Sequence, residues 1–151
     1  MEKFTLVTGG TGYIGSHTSV ALMEAGYQVV IVDNLVNSSK KVLSRIEQIT
    51  GTAPVFIEAD LRDTSTIIEI FSDYPIASVV HFAGLKAVGE SVEEPVKYYD
   101  NNLGSTLSLL DAMALSEVST LVFSSSATVY SSSEIAPFDE AAELGPTNPY
   151  G

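Results

Sequence analysis

Gly9, Gly10, Gly12 and Gly15 stand in the run Thr8-Gly9-Gly10-Thr11-Gly12-Tyr13-Ile14-Gly15, directly after the apolar segment Phe4 to Val7. The run fits G-x-x-G-x-x-G through Gly9, Gly12 and Gly15, and G-x-G-x-x-G through Gly10, Gly12 and Gly15. Glycines so spaced allow a tight turn and bring bare backbone against a pyrophosphate. The N-terminus of the following helix adds oriented N–H groups and partial positive charge. A glycine-rich turn that merely packs helix on strand is the plainer alternative, but a second apolar segment ends in Asp33 at the expected spacing of roughly 20 residues. A carboxylate there accepts hydrogen bonds from the adenosine ribose and repels a 2′-phosphate. The pattern therefore points to NAD rather than NADP, with Lys40 and Lys41 nearby as the contrary signal.

Three further segments fall where a dinucleotide passes: Asp60-Leu61, Phe82-Ala83-Gly84-Leu85-Lys86 and Ser124-Ser125-Ser126. Each follows the C-terminal end of an expected strand. Asp60 is placed near the adenine, small Ala83 and Gly84 admit the cofactor close to the backbone, and Lys86 reaches anionic or hydroxyl oxygens. Taken singly, a helix-capping Asp, a flexible turn, a solvated Lys and a serine-rich loop are ordinary features; their shared placement argues for a site. His81, inside Val79-Val80-His81-Phe82, reads as a hydrogen-bonded core histidine, and His17 likewise. Neither belongs to a metal-ligand pattern, so no metal site is expected.

The elements that must hold these residues alternate strictly. Strands are expected over Phe4 to Val7, Gln28 to Val32, Val55 to Ile57, Ala77 to Phe82 and Leu121 to Ser124. Helices are expected over Ile14 to Ala25 stopped by Gly26, Lys40 to Ile49 with Asn37 and Ser38 as caps and Gly51 as stop, Asp63 to Phe71, and Pro95 to about Ala114. Such β-then-α alternation predicts an α/β, doubly wound parallel sheet of the Rossmann type, ordered 3-2-1-4-5, with its crevice at the strand C-termini. Residues 1–151 read as one NAD-binding domain. From Ser131 onward a loop rich in Ser, Pro and acid leads towards another helix near Tyr150.

Composition narrows the partners. Apolar residues make up 45% and the formal charge is −12, which opposes nucleic acid and anionic membrane surfaces. No apolar run approaches the ~18 residues of a membrane span, and Met1-Glu2-Lys3-Phe4 enters a strand pattern without a leader, so a cytoplasmic place is expected. Cysteine is absent, which removes thiolate chemistry.

The whole chain resembles the extended short-chain dehydrogenase/reductase superfamily, and within it the UDP-glucose 4-epimerase family. The segments that carry the likeness are the glycine loop through Ser16-His17, Val32-Asp33-Asn34-Leu35, His81 through Ser91, Tyr98 through Asn102, and Phe123 through Tyr130. The resemblance implies a bound NAD that takes a hydride from C4 of a UDP-sugar and returns it to the other face of a 4-keto intermediate, interconverting UDP-galactose and UDP-glucose. It assigns Tyr13, Ile14, Asp33, Asn34, Asn37, Ser38, Asp60, Leu61, Phe82, Ala83, Gly84, Lys86 and Asn101 to the cofactor, beside Gly9, Gly12, Gly15 and Ser124 from the loop and strand ends, and Ser126 and Tyr150 to catalysis. Tyr150 matches the Tyr of Y-x-x-x-K, and a homodimer through the long helix from Pro95 is implied as well.

The chain departs from that pattern at Ser131, where the family has Gly, and at its end. Gly151 precedes the position of the motif Lys that supports the Tyr, so a truncated piece lacking the C-terminal substrate domain and inactive alone is the expectation. A nucleotide-sugar 4,6-dehydratase needs an acid-base pair where Ala127 and Thr128 stand, which disfavours it. The remaining alternative is a non-catalytic NAD-binding module.

Overall fold

The chain alternates β1 (Phe4–Thr8), α1 (Tyr13–Glu24), β2 (Gln28–Asp33), α2 (Lys41–Thr50), β3 (Val55–Glu58), α3 (Thr64–Asp73), β4 (Ile76–His81), α4 (Val88–Glu93), α5 (Pro95–Leu115) and β5 (Leu121–Phe123). This computed structural model describes residues 3–133 and 136–151; the Met1-Glu2 start of the expected strand entry and positions 134 and 135 of the expected loop lie outside them. The strands form one parallel sheet in the order β3-β2-β1-β4-β5, as the alternation requires.

Both faces of the sheet are covered, which explains why Val29 to Val32 is apolar without alternating polar positions. Leu6, Val30, Val32 and Val79 turn to one face, where they pack with Ile67, Ile70 and Phe71 of α3 and Leu109, Ala112 and Met113 of α5. Val7, Val29 and Ile31 turn to the other, against Ile46 of α2 and Val20 and Met23 of α1. With β1 in the middle, the C-termini of β1, β2 and β4 open side by side.

Several expectations need correction. His17, expected to sit hydrogen-bonded in the core like His81, lies exposed on the outer face of α1 beside Tyr13, and β5 ends at Phe123 rather than Ser124. Asn37 and Ser38 do not cap α2: its N-cap is Lys40, without a side-chain cap bond, because the Ser38 hydroxyl is engaged by Asp33 and Thr11 instead. β4 ends at His81 rather than Phe82, whose N–H still makes the last bond of the β1–β4 ladder, to the Thr8 carbonyl at 3.1 Å, before the chain leaves the sheet. Two elements were not expected, the short helix α4 and a 3-10 turn at Ala127–Val129. After it the chain folds back on itself: Tyr130 bridges Leu144, and the Ser131 N–H donates to the Glu143 carbonyl at 2.8 Å. Where an approach to a helix near Tyr150 is expected, the described residues form a bend instead, with Asn148 Oδ1 accepting the Gly151 N–H at 2.9 Å.

Candidate active site

The turn between β1 and α1 is shaped by two glycines. Gly9 has φ of +67°, and a Cβ on it would stand 2.7 Å from the Ala83 nitrogen, so β1 and the end of β4 approach as closely as they do only because the side chain is missing. A Cβ on Gly15 would drive into the Gly9 carbonyl oxygen, so the first turn of α1 sits directly on the loop. Gly12 is the N-cap of α1, with no side-chain cap bond and no acid in the first turn, which leaves that positive helix end free for an anion.

Asp33 closes the adjacent side. It is 8% exposed; one carboxylate oxygen accepts from the Thr11 N–H at 3.1 Å, the other from the Leu35 N–H at 2.9 Å and the Ser38 hydroxyl at 3.1 Å. A carboxylate offers about four acceptor positions, so three loop bonds still leave room for a ligand hydroxyl. Lys40 pairs with Glu58 at 2.6 Å on the sheet edge.

Asp60 faces the same crevice in an arrangement the sequence did not disclose. Arg62 grips it in two places, Nε at 3.1 Å from Oδ1 and a terminal nitrogen at 2.7 Å from Oδ2, and reaches on to Asp100 of α5 at 2.6 Å. The Arg62 guanidinium holds the Asp60 carboxyl at about 2, so it is ionised throughout the physiological range. Leu61 is 4% exposed and packs chiefly in the core, with one edge on the crevice.

The turn after β4 is fastened at both ends. The Ala83 N–H reaches Thr8 Oγ1 at 3.4 Å, and Asn102 of α5 clamps Leu85 by accepting its N–H and donating to its carbonyl, both at 2.8 Å. Lys86 makes no ion pair among the described residues, because its nearest acid in sequence, Glu90, is taken by Lys97 at 2.6 Å and the Tyr98 hydroxyl at 2.7 Å.

These pieces form one crevice. Gly9, Gly12, Asp33, Asn34, Asn37, Asp60, Leu61 and Asn101 line its narrow end, and Phe82, Ala83, Gly84 and Lys86 continue from there into a cleft of about 770 Å³. Ile14, Ser124, Ser126 and Tyr150 line that wider part. Three of the residues expected at the cofactor do not line it: Gly15 is buried beneath the loop, Ser38 supports Asp33, and Tyr13 is 81% exposed beside His17. Ser126 Oγ accepts the Thr128 N–H at 3.1 Å and lies 2.8 Å from Thr128 Oγ1, while the buried Ser91 hydroxyl accepts the Tyr150 N–H at 3.3 Å. Among the described residues no cluster of three or more His, Cys, Asp or Glu side chains is placed to hold a metal ion.

His81, almost wholly buried, sits at the wall of the wider cleft, and its tautomer follows from its neighbours. Thr106 Oγ1 donates to the Asn102 carbonyl at 2.8 Å, so its oxygen must accept from His81 Nε2 at 3.2 Å. Nδ1 is then the acceptor of the Thr8 hydroxyl at 2.6 Å. Burial pushes the ring down to about 4, hence neutral. Between its ordinary 6.5 and that value the unfolded chain binds a proton that the folded chain refuses, so stability falls as pH drops through this window. The expected loss is about 2 kcal/mol between pH 7 and pH 5. Denaturant midpoints at the two pH values measure it, and His81→Asn removes this slope; the Asp60 contribution is lost only below about pH 4.

The GDP-mannose 4,6 dehydratase family model matches residues 6–151. The UDP-glucose 4-epimerase of Yersinia pestis is 54% identical over 149 residues, 98% of this chain and 44% of that protein; that of Neisseria gonorrhoeae is 56% identical over 147 residues, 97% of this chain and 44% of that protein. Among solved structures, UDP-glucose 4-epimerase from Bifidobacterium longum in complex with NAD+ and UDP superposes with a TM-score of 0.95 at 49% identity, covering 98% of this chain and 44% of that one. The enzyme from Stenotrophomonas maltophila, with bound NAD and formylated UDP-arabinopyranose, gives 0.94 at 48% identity, covering 99% and 44%. The chain thus spans less than half the length of these relatives.

Proposed function

Because the chain belongs to the GDP-mannose 4,6 dehydratase family, we propose that it is the NAD-binding domain of a UDP-glucose 4-epimerase, interconverting UDP-galactose and UDP-glucose. One observation carries this reading: a single crevice joins the glycine loop and Asp33 to Ser126 and Tyr150, in a chain more than half identical to such epimerases.

The residues present fit NAD. The uncapped α1 N-terminus behind Gly12 suits the pyrophosphate, Asp33 the adenosine ribose, Asp60 and the edge of Leu61 the adenine. Asn34 and Asn37 flank that end, with Ser38 acting through Asp33; Phe82, Ala83, Gly84, Lys86 and Asn101 border the middle, and Ile14 and Ser124 the far end. When bound, NAD supplies a reversible hydride acceptor for C4 of the sugar.

Tyr150 takes the proton of the C4 hydroxyl, and Ser126 orients that oxygen. The Ser126 and Thr128 hydroxyls lie 2.8 Å apart, and in the arrangement where Thr128 donates the Ser126 proton points at the sugar. The same contacts argue against dehydration, because Ala127 has no titratable group and Thr128 is committed to Ser126. The reading includes a cytoplasmic place and a homodimer through α5, where Val96, Tyr99, Leu103, Leu107 and Leu110 form an exposed apolar stripe. Among the described residues no helix is long and apolar enough to cross a membrane.

Calorimetric titration of the 151-residue chain with NAD tests the cofactor. The full polypeptide encoded by the gene, given UDP-galactose, tests the reaction by UDP-glucose formation. Absence of NAD binding overturns the cofactor reading, and a 4-keto-6-deoxy product in place of UDP-glucose moves the protein to the dehydratases.

A further inference from the structure

His81 takes no part in the chemistry above, yet it is a titratable side chain 3% exposed at the mouth of the sheet. Its two ring nitrogens connect the elements that fasten the turn after β4. On one side Thr8 receives the Ala83 N–H, and on the other Thr106 bonds the backbone of Asn102, whose side chain clamps Leu85. A neutral imidazole presents an acceptor and a donor on opposite edges of one rigid ring, which no apolar side chain of similar size does. Phe123 of β5 packs beside the ring at 5.5 Å between centroids and steadies its plane.

We propose that His81 is a positioning residue: accepting from Thr8 at Nδ1 and donating to Thr106 at Nε2, it holds the Phe82 to Lys86 turn in the shape that receives the dinucleotide. The inference rests on the reading of the crevice as an NAD site. It matters because Gly84 and Ala83 make the turn small but contribute no side-chain bonds of their own, so its shape depends on anchors outside it. The relay ties those anchors to each other across β1, β4 and α5. A shift at either end would move the stretch that borders the cofactor.

The test separates positioning from core filling. Nitrogen-15 spectra of the chain at pH 7 are expected to give a protonated Nε2 and an unprotonated Nδ1. His81→Leu is expected to bind NAD about tenfold more weakly by calorimetry, the cost of losing about one buried hydrogen bond at the turn. His81→Asn, which keeps an acceptor near the Nδ1 position, and His81→Gln, which keeps a donor near Nε2, recover part of that loss. Pairing His81→Leu with Asn102→Ala gives a combined loss smaller than the product of the two, since both act through one turn.

A folded His81→Leu with unchanged NAD affinity overturns the proposal, as do independent, multiplying losses or a ring protonated at Nδ1. If His81→Leu does not fold, Thr106→Val decides with the imidazole in place: about threefold weaker NAD binding is expected, and unchanged affinity counts against the proposal. Failure of the unaltered chain to bind NAD sinks the cofactor reading instead, and the ring spectra still judge the relay on its own.

Discussion

Gly15→Ala is expected to weaken NAD binding by at least about a hundredfold and to destabilise the chain by about 2 kcal/mol or more. The added Cβ meets the Gly9 carbonyl oxygen and comes within 2.9 Å of Gly10 Cα, both backbone atoms of a turn already held by the Gly9 N–H bond to Val32 at 2.8 Å. Neither side can give way as a flexible side chain would. The helix start must lift from the loop, and the N–H groups then leave the position where a pyrophosphate lies. Gly89→Ala in α4 is the control, since a Cβ there meets nothing within 4 Å; it should leave NAD affinity unchanged and stability within about 1 kcal/mol. Calorimetry and thermal unfolding on both variants check the pair. Wild-type affinity in Gly15→Ala would show that the loop does not carry the phosphate.

Asp33→Asn is expected to cost NAD about a hundredfold in affinity while NADP loses much less. The carboxylate accepts from Thr11, Leu35 and Ser38 through two oxygens. An amide has one acceptor oxygen, so its NH2 must face either the Thr11 N–H or the Leu35 N–H, donor against donor. Bonds to a charged acceptor are worth about 1.5–3 kcal/mol each, which makes this loss larger than that of a neutral cap. The variant also removes the charge that repels a 2′-phosphate. Dissociation constants for both dinucleotides, measured on both proteins, decide the matter. Equal losses for NAD and NADP mean that Asp33 only stitches the loop and does not select the cofactor.

What the sequence discloses and what it hides divide by range. The strand order, the crevice at the strand ends and the histidine reading of His81 follow from local pattern: apolar runs bounded by Gly26, Gly51 and Pro95, and a polar ring inside Val79 to Phe82. The helix α4 is six residues long, too short for a periodic signal, and its place depends on Glu90 meeting Tyr98 and on Ser91 meeting Tyr150, far away in sequence. The Arg62 clamp needs Asp100, 38 residues on, and nothing near Arg62 announces it. Ser38 reads as a helix cap because Ser usually is one; only the folded loop brings it to Asp33 and Thr11.

The central place of β1 also sets the order in which the molecule can assemble. Its pairing with β2 closes a short stretch of chain, whereas Thr8 meets His81 across 73 residues. The longer closure costs about 1 kcal/mol more in chain entropy, so β1-α1-β2 has the easier path to early formation and β4 docks against an already twisted ribbon. Until then β1 presents an unpaired edge of apolar residues to any other strand. The bonds that align the cofactor turn therefore belong to the slow step, and destabilising β4 should favour misassembly during folding more than it loosens the finished fold.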